Sequence, residues 1–190
     1  MLTKMIKKII KYIIIIYYKI TNNKSMLNKE YISQCKKKGM KIGENCRCFS
    51  NINDSEPYLI EIGNNVTIST NVNFITHDNS ITKICDEYTD CFGKISIGDN
   101  CFIGLGAIIM PGVTIADNII IAAGSVVTKS FKDNNIIIGG NPAKKISNID
   151  RDKLYTKEYY HNTRKMSYEE KKMYLMQLED RKLKTIKNID

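Results

Sequence analysis

Between residues 95 and 130 the aliphatic positions follow neither the 3.6-residue step of a helix nor the two-residue alternation of a simple strand. They recur every six residues, at Ile97, Ile103, Ile109, Ile115, Ile121 and Val127. Ile and Val fill 12 of these 36 positions, so six hits in any one of six phases would arise by chance about 1 time in 120. The residue after each aliphatic is Gly98, Gly104, Met110, Ala116, Ala122 or Thr128, mostly small. The same phrase occurs upstream as Ile62-Gly63-Asn64-Asn65-Val66 followed by Ile68 and Phe74, and as Ile42-Gly43-Glu44-Asn45-Cys46 followed by Cys48. A period of six predicts flat sides of about six residues, each turning one aliphatic inward. Asn, Asp and Gly make the bends, where positive φ costs them little. Three sides close one triangular coil, and stacked coils bury a continuous column. The predicted fold is mainly β, a parallel β-helix.

Two stretches break the period. Residues 53–58 read as a short bend, and residues 78–94 (DNSITKICDEYTDCFGK) as a long loop projecting from a corner. The stack closes near Ser130, and IIIGGNPAKKI then reads as a strand, a glycine pair and a proline stop. After Ile149 the composition turns to charged and aromatic helix formers, and Ser167-Tyr168-Glu169-Glu170 is a capping box opening a helix through about Lys184. At the other end, the uncharged run Tyr12 to Tyr18 is far shorter than the roughly 20 residues of a membrane span. No small-residue cleavage site follows it. At 100° per residue, Lys4, Lys7, Lys8, Lys11 and Lys19 fall within an arc of about 120°, with Ile, Met, Leu and Tyr on the rest. Such a basic amphipathic helix either packs its apolar side on protein or lies on anionic lipid. The expected organisation is a helical segment over 1–40, a β-helix domain over 41–147 and a helical extension over 148–190.

The net charge of +9 on 190 residues invites an anionic partner, but its distribution narrows the choice. Residues 1–45 carry +9, residues 46–150 carry −4 and residues 151–190 carry +4. The central body is acidic, which argues against nucleic acid as its ligand. An AT-rich coding bias also contributes to the Lys, Ile (33) and Asn (19) counts. The six cysteines include no C-x-x-C pair, and with only His77 and His161 available no zinc pattern forms. Reduced thiols in the cytoplasm, several of them buried, and no metal are the expectation.

His77 is the candidate for chemistry. It stands where Phe74-Ile75-Thr76 leaves a coil and enters the long loop. Imidazole suits general-base work near neutral pH. Asp78 and Asp86 are the candidates to orient its other nitrogen, although Asp78 reads equally as a turn residue.

The phrases EIGNNVTIS, FITHDN, ISIGDNCFIGLGAIIMPGVTIADNIIIAAGSVVTKS and GGNPAKKI resemble those of the hexapeptide-repeat, left-handed β-helix acyltransferases, over about residues 41–147. The resemblance is greatest to the branch of maltose and galactoside, xenobiotic, and capsule or exopolysaccharide O-acetyltransferases. It implies acetyl transfer from acetyl-CoA, a co-substrate, to a hydroxyl or amine, in a homotrimer with sites between subunits and without a metal. His77 matches the catalytic histidine. Gly104, Leu105, Ala122, Ala123, Gly124, Thr128, Lys129, Lys144 and Lys145 fall where the family contacts CoA. The small residues would pass the pantetheine arm, and the lysines would meet its phosphates. Asn51 matches an acceptor-contacting asparagine, with Asp78 as a second acceptor contact. A further basic position of sugar-acetylating relatives is Ser147 here, and the Lys/Ile-rich N-terminus differs from the acceptor-binding helices of the maltose and galactoside enzymes. The expectation is therefore a cytoplasmic sugar O-acetyltransferase acting on a cell-surface polysaccharide precursor, with possible peripheral contact of residues 1–20 with anionic membrane. Serine, amino-sugar N- or antibiotic acetylation, and a non-catalytic scaffold, are the alternatives.

Overall fold

The structure is a computed structural model; it describes residues 24–52, 55–150, 160–179 and 182, and in the N-terminal segment Met5, Ile6, Ile9, Tyr12, Ile13 and Ile16. The chain divides into two units, residues 1–148 and 149–190.

The first unit is built on three parallel ladders. One face stacks β1 (Lys41–Ile42), β3 (Ile60–Ile62), β8 (Ile95–Ile97) and β11 (Thr114–Ile115). The second stacks β2 (Arg47–Cys48), β4 (Thr67–Ile68), β9 (Phe102–Ile103), β12 (Ile120–Ile121) and β14 (Ile136–Gly139). The third stacks β5 (Asn73–Phe74), β10 (Ile108–Ile109) and β13 (Val126–Val127). Ile97 pairs with Ile115, Ile103 with Ile121 and Ile109 with Val127, each 18 residues further on. Three sides of six residues thus make one coil. Between Ile62 and Ile97 the offset is 35. It exceeds a regular coil by 17, the length of residues 78–94, so the insertion leaves the stack in register.

The period-six aliphatics are all inward, each at most 4% exposed. A second inward column runs two residues earlier: Ile95, Cys101, Ala107, Val113, Ile119 and Ser125 are also buried. A strand exposes every other side chain to the same face, so the two residues flanking each outward position share the core. Burying an Ile side chain contributes roughly 1.5–3 kcal/mol, which makes these twin columns the principal source of cohesion.

The corner between the first and second faces explains the small residue after the aliphatic. A Cβ on Gly98 would meet Asp117 Oδ1 at 2.3 Å and the Ala116 carbonyl carbon at 2.8 Å; one on Gly63 would meet Asp99 Oδ1 at 2.2 Å. At Gly63 and Gly98 the coils approach too closely for a side chain. One turn further, Asn45, Asn65, Asn100, Asn118 and Asn135 all adopt φ of 55–59°, the left-handed region that asparagine tolerates. The backbone N–H groups of Glu44, Asn64 and Asp99 donate to Asn64, Asp99 and Asp117 Oδ1 of the following coil at 2.9, 2.7 and 2.7 Å. Asp117 N donates to Asn134 Oδ1 at 3.1 Å. This corner is a ladder of side chains bonded to backbone.

Both ends of the stack are covered. Helix α1 (Lys24–Lys37) lies against the first coil, where Asn28 Nδ2 donates to the Cys48 carbonyl and Ile52 N–H donates to Tyr31 Oη. At the far end β15 (Lys144–Asn148) turns back and pairs antiparallel with β14. All six cysteines are free thiols. Burial raises Cys48 to about 12 and Cys101 to about 11.

In the second unit, helix α2 (Tyr168–Met176) opens on the expected capping box: Glu170 N donates to Ser167 Oγ at 3.2 Å and Ser167 N to Glu170 Oε2 at 2.6 Å. It stops short of Lys184, leaving the helix at Gln177. None of its residues is buried, so no packing carries it further. His161 holds Tyr174 Oη at Nδ1 (2.9 Å) and the Lys182 carbonyl at Nε2 (2.8 Å), a structural role. The five lysines of the expected N-terminal basic arc lie outside the described residues, as do residues 183–184.

Candidate active site

The site forms at the corner between the third and first faces, where the 78–94 insertion leaves and rejoins the stack. The chain departs as β6 (His77–Asp78) and returns as β7 (Cys91–Phe92), antiparallel to it, with His77 opposite Phe92. Gly93 N donates to the Thr76 carbonyl at 2.8 Å, closing the neck of the loop. The imidazole of His77 lies 5.8 Å from the Phe92 ring, centroid to centroid, at an interplanar angle of 46°.

The partner of His77 Nδ1 is Glu56 Oε2, at 2.8 Å. The same oxygen accepts from Thr76 Oγ1 at 2.8 Å. Glu56 is well buried (14% exposed), whereas the His77 side chain is 38% exposed. The carboxylate is an acceptor, so it holds the proton on Nδ1 and places the imidazole lone pair on Nε2. The chemistry of such a pair is proton acceptance from a hydroxyl presented at the exposed edge of the ring.

Glu56 is the functional residue that the periodicity did not pick out, since it lies in the bend read as a connector. The register could have found it. Ile42 pairs with Ile62, an offset of 20, and the same offset sets Glu56 against Thr76. Asp78 plays a different part. Its Oδ1 accepts from Ser80 N at 2.8 Å, and this bond lowers its carboxyl below the usual value. It shapes the start of the loop. Asp86 is exposed within the loop.

The remaining candidates fall into two columns. By register, His77, Gly112 and Ser130 occupy one column on the third corner, the last two coils above the first. At about 4.8 Å per coil, His77 and Ser130 are about 10 Å apart along the axis. At the upper end Lys129, Lys132, Lys144 and Lys145 line one open hollow together with Ser130, Phe131, Ile136 and a single carboxylate, Asp133, and Lys129 Nζ stands 5.8 Å over the Phe131 ring. Thr128 leads into this group and is exposed. The donor set, several ammonium groups about a hollow on an acidic body, fits the phosphates of CoA.

The second column is the corner between the second and third faces. Here Gly124 N donates to the Leu105 carbonyl and Gly104 N to the Ile121 carbonyl, both at 2.8 Å. Leu105, Ala123 and Gly124 are exposed, Ala122 is half-buried and Gly104 is buried. Asn51 is exposed at this corner too, in register with Asn71. A side of six residues spans at most about 20 Å, so within one chain Asn51 and Leu105 stand across the third face from His77.

Residues 94–129 match the hexapeptide repeat of succinyl-transferase. Over 157 residues the chain is 47% identical to Protein CapG of Staphylococcus aureus, covering 79% of this chain and 91% of that one. It is similar to the structure of a maltose O-acetyltransferase from Clostridium difficile 630, with 38% identity, a TM-score of 0.52 and coverage of 59% of this chain and 60% of that one. It is also similar to a galactoside acetyltransferase solved in complex with coenzyme A, with 34% identity, a TM-score of 0.54 and coverage of 68% and 63%. The repeats, the three-faced stack and these likenesses agree: the chain belongs to the hexapeptide-repeat acetyltransferases and shares their left-handed parallel β-helix.

Proposed function

We propose that the protein transfers acetyl from acetyl-CoA to a hydroxyl of a sugar, with a cell-surface polysaccharide precursor as acceptor and His77 as general base. The observation that carries this reading is the Glu56–His77 pair at the mouth of the loop. His77 Nε2 accepts the proton of the acceptor hydroxyl as that oxygen forms its bond to the thioester carbonyl carbon. The tetrahedral intermediate then collapses, the C–S bond breaks, and the CoA sulfur leaves with the proton that His77 returns. Backbone N–H groups lining the cleft would steady the oxyanion, and Glu56 keeps the imidazole in the tautomer the step requires. Lys129, Lys144 and Lys145 hold the CoA phosphates, and the small residues Gly104, Ala122 and Gly124 let the pantetheine arm run along the coil edge.

The working form in this reading is a homotrimer. The candidate residues occupy two corners of one chain, and a neighbouring copy set against the third face would bring Asn51, Leu105, Ala123 and Gly124 of one subunit toward His77 of the next. Asp78 acts through loop shape at the acceptor's edge. The protein works in the cytoplasm, with residues 1–20 in peripheral contact with the inner face of the membrane.

The test is thiol release from acetyl-CoA with a panel of sugar, amino-sugar, serine and antibiotic acceptors. A sugar should support release, and His77→Ala should abolish it by a factor of about 10²–10⁴. Equal release by wild type and variant with every acceptor would overturn the assignment.

A further inference from the structure

The six described residues of the N-terminal segment are all helical and all exposed: Met5, Ile6, Ile9, Tyr12, Ile13 and Ile16, each between 45% and 59%. They are apolar without exception, and their spacing is that of one helix face. At 100° per residue they fall within about 120°, and at 1.5 Å per residue they run for about 16 Å. In the stack the period-six Ile and Val residues point into the inward columns; here the same residue types stand in solvent. Scattered exposed apolar side chains need no explanation, but a contiguous stripe marks a surface meant to be covered.

What covers it is indicated by charge. The first 45 residues carry 11 basic and 2 acidic side chains. Two copies packed stripe to stripe would bring two such charge clusters together, whereas an anionic bilayer supplies the opposite charge and an apolar layer in one surface. Lys7, Lys8, Lys11 and Lys19 leave an uncharged run of only Tyr12 to Tyr18, far short of the roughly 20 residues of a span, so the stripe would lie in the interface plane. We propose that the helical face of Met5, Ile6, Ile9, Tyr12, Ile13 and Ile16 docks on anionic lipid, with this Ile, Met and Tyr stripe inserted among the acyl chains and the positive charge of the segment drawn to the headgroups. This deepens the peripheral contact proposed above, rests on it, and names the surface. It ties the catalytic corner to acceptors presented at a membrane.

The experiment uses the full-length protein and vesicles of phosphatidylcholine with and without 30% phosphatidylglycerol. Sedimentation should show partition onto the anionic vesicles at least tenfold stronger than onto the neutral ones. Ile9→Glu with Ile13→Glu should lower that partition at least tenfold while thiol release with a soluble acceptor is unchanged. The chain has no tryptophan, so Tyr12→Trp provides a single reporter whose emission should shift to the blue on anionic vesicles and be quenched by brominated lipid. That reporter decides the matter should the double variant misfold. A wild type that stays in the supernatant with both vesicle types, or a Tyr12→Trp emission that anionic vesicles leave unchanged, overturns the proposal. So does a double variant whose mass by light scattering falls without lipid, because the stripe would then be covered by a second copy. Thiol release is read separately, so failure of docking and failure of the acetyltransferase reading remain distinct.

Discussion

Two corners of the same triangular coil have been put to opposite uses. Between the first and second faces, successive coils repeat Gly or Ala, then Asn, Asp or Glu, then a left-handed Asn, and the backbone N–H groups of Glu44, Asn64 and Asp99 are each answered by a side-chain oxygen one coil away. Between the third and first faces the repeat is interrupted twice, by the 53–58 bend and by the 78–94 loop. There a carboxylate and an imidazole pair with one another. A corner that closes on itself stabilises. A corner opened by insertions gains side chains that are not committed to the ladder.

The comparison predicts that substitutions at the two corners will separate stability from activity. The largest effect is at the open corner: His77→Ala should lower kcat/KM for acetyl transfer by about 10²–10⁴ while the melting temperature barely moves. A large loss of stability would mean that His77 belongs to the scaffold. At the closed corner Gly98→Ala should do the reverse. Its Cβ meets backbone as well as the Asp117 carboxylate, so overpacking should cost about 1–3 kcal/mol, read by urea unfolding, with activity per folded molecule retained.

Glu56→Gln keeps a hydrogen-bonding oxygen but removes the carboxylate that fixes the tautomer. The expected outcome is a kcat about tenfold lower, near 1.4 kcal/mol, with KM for acetyl-CoA unchanged. A change in KM alone would move Glu56 from positioning His77 to shaping the pocket. Asp99→Ala removes an exposed acceptor of the ladder and should cost about 1 kcal/mol, with no effect on catalysis.

Alkaline pH tests the core that both corners share. Burial raises the Cys48 and Cys101 thiols to about 12 and about 11 in the folded chain. A group with a raised folded pKa contributes stability that is complete below its unfolded value, about 8.5. That contribution is lost as pH rises toward the folded value, because the unfolded chain ionises first. The melting temperature should therefore fall between about pH 9 and 11, less so in Cys48→Ala. Under native conditions iodoacetamide should label the exposed Cys91 before Cys48 or Cys101.

The fold was legible because one inward column is almost pure Ile and Val. The second was not, because Cys101, Ala107 and Ser125 interrupt its run of large aliphatics while staying buried. His77 was legible from its place at the break in the period. Glu56 was not, because a residue 21 positions away becomes its neighbour only through the register of stacked coils. Asp78 stands next to His77 in sequence, yet the carboxylate at Nδ1 comes from the preceding coil, and the turn role that Asp78 equally allows is the one its bond to Ser80 N fills. The two-corner arrangement of Asn51 and Leu105 against His77 also emerges only in three dimensions, since equal spacing along the chain does not distinguish one corner from another.

The caps at the two ends of the stack have a consequence of another kind. A parallel β-helix is a lattice in one dimension, and every coil is a template for the next. Left bare, its terminal rungs would accept strands from other molecules and the particle would grow into a filament. Helix α1 closes one growth face through Asn28 and Tyr31. At the other, β15 runs against the grain of β14 and presents the wrong polarity for a further coil. These two elements act as chain terminators of a polymerisation, and they fix the particle at a finite number of rungs.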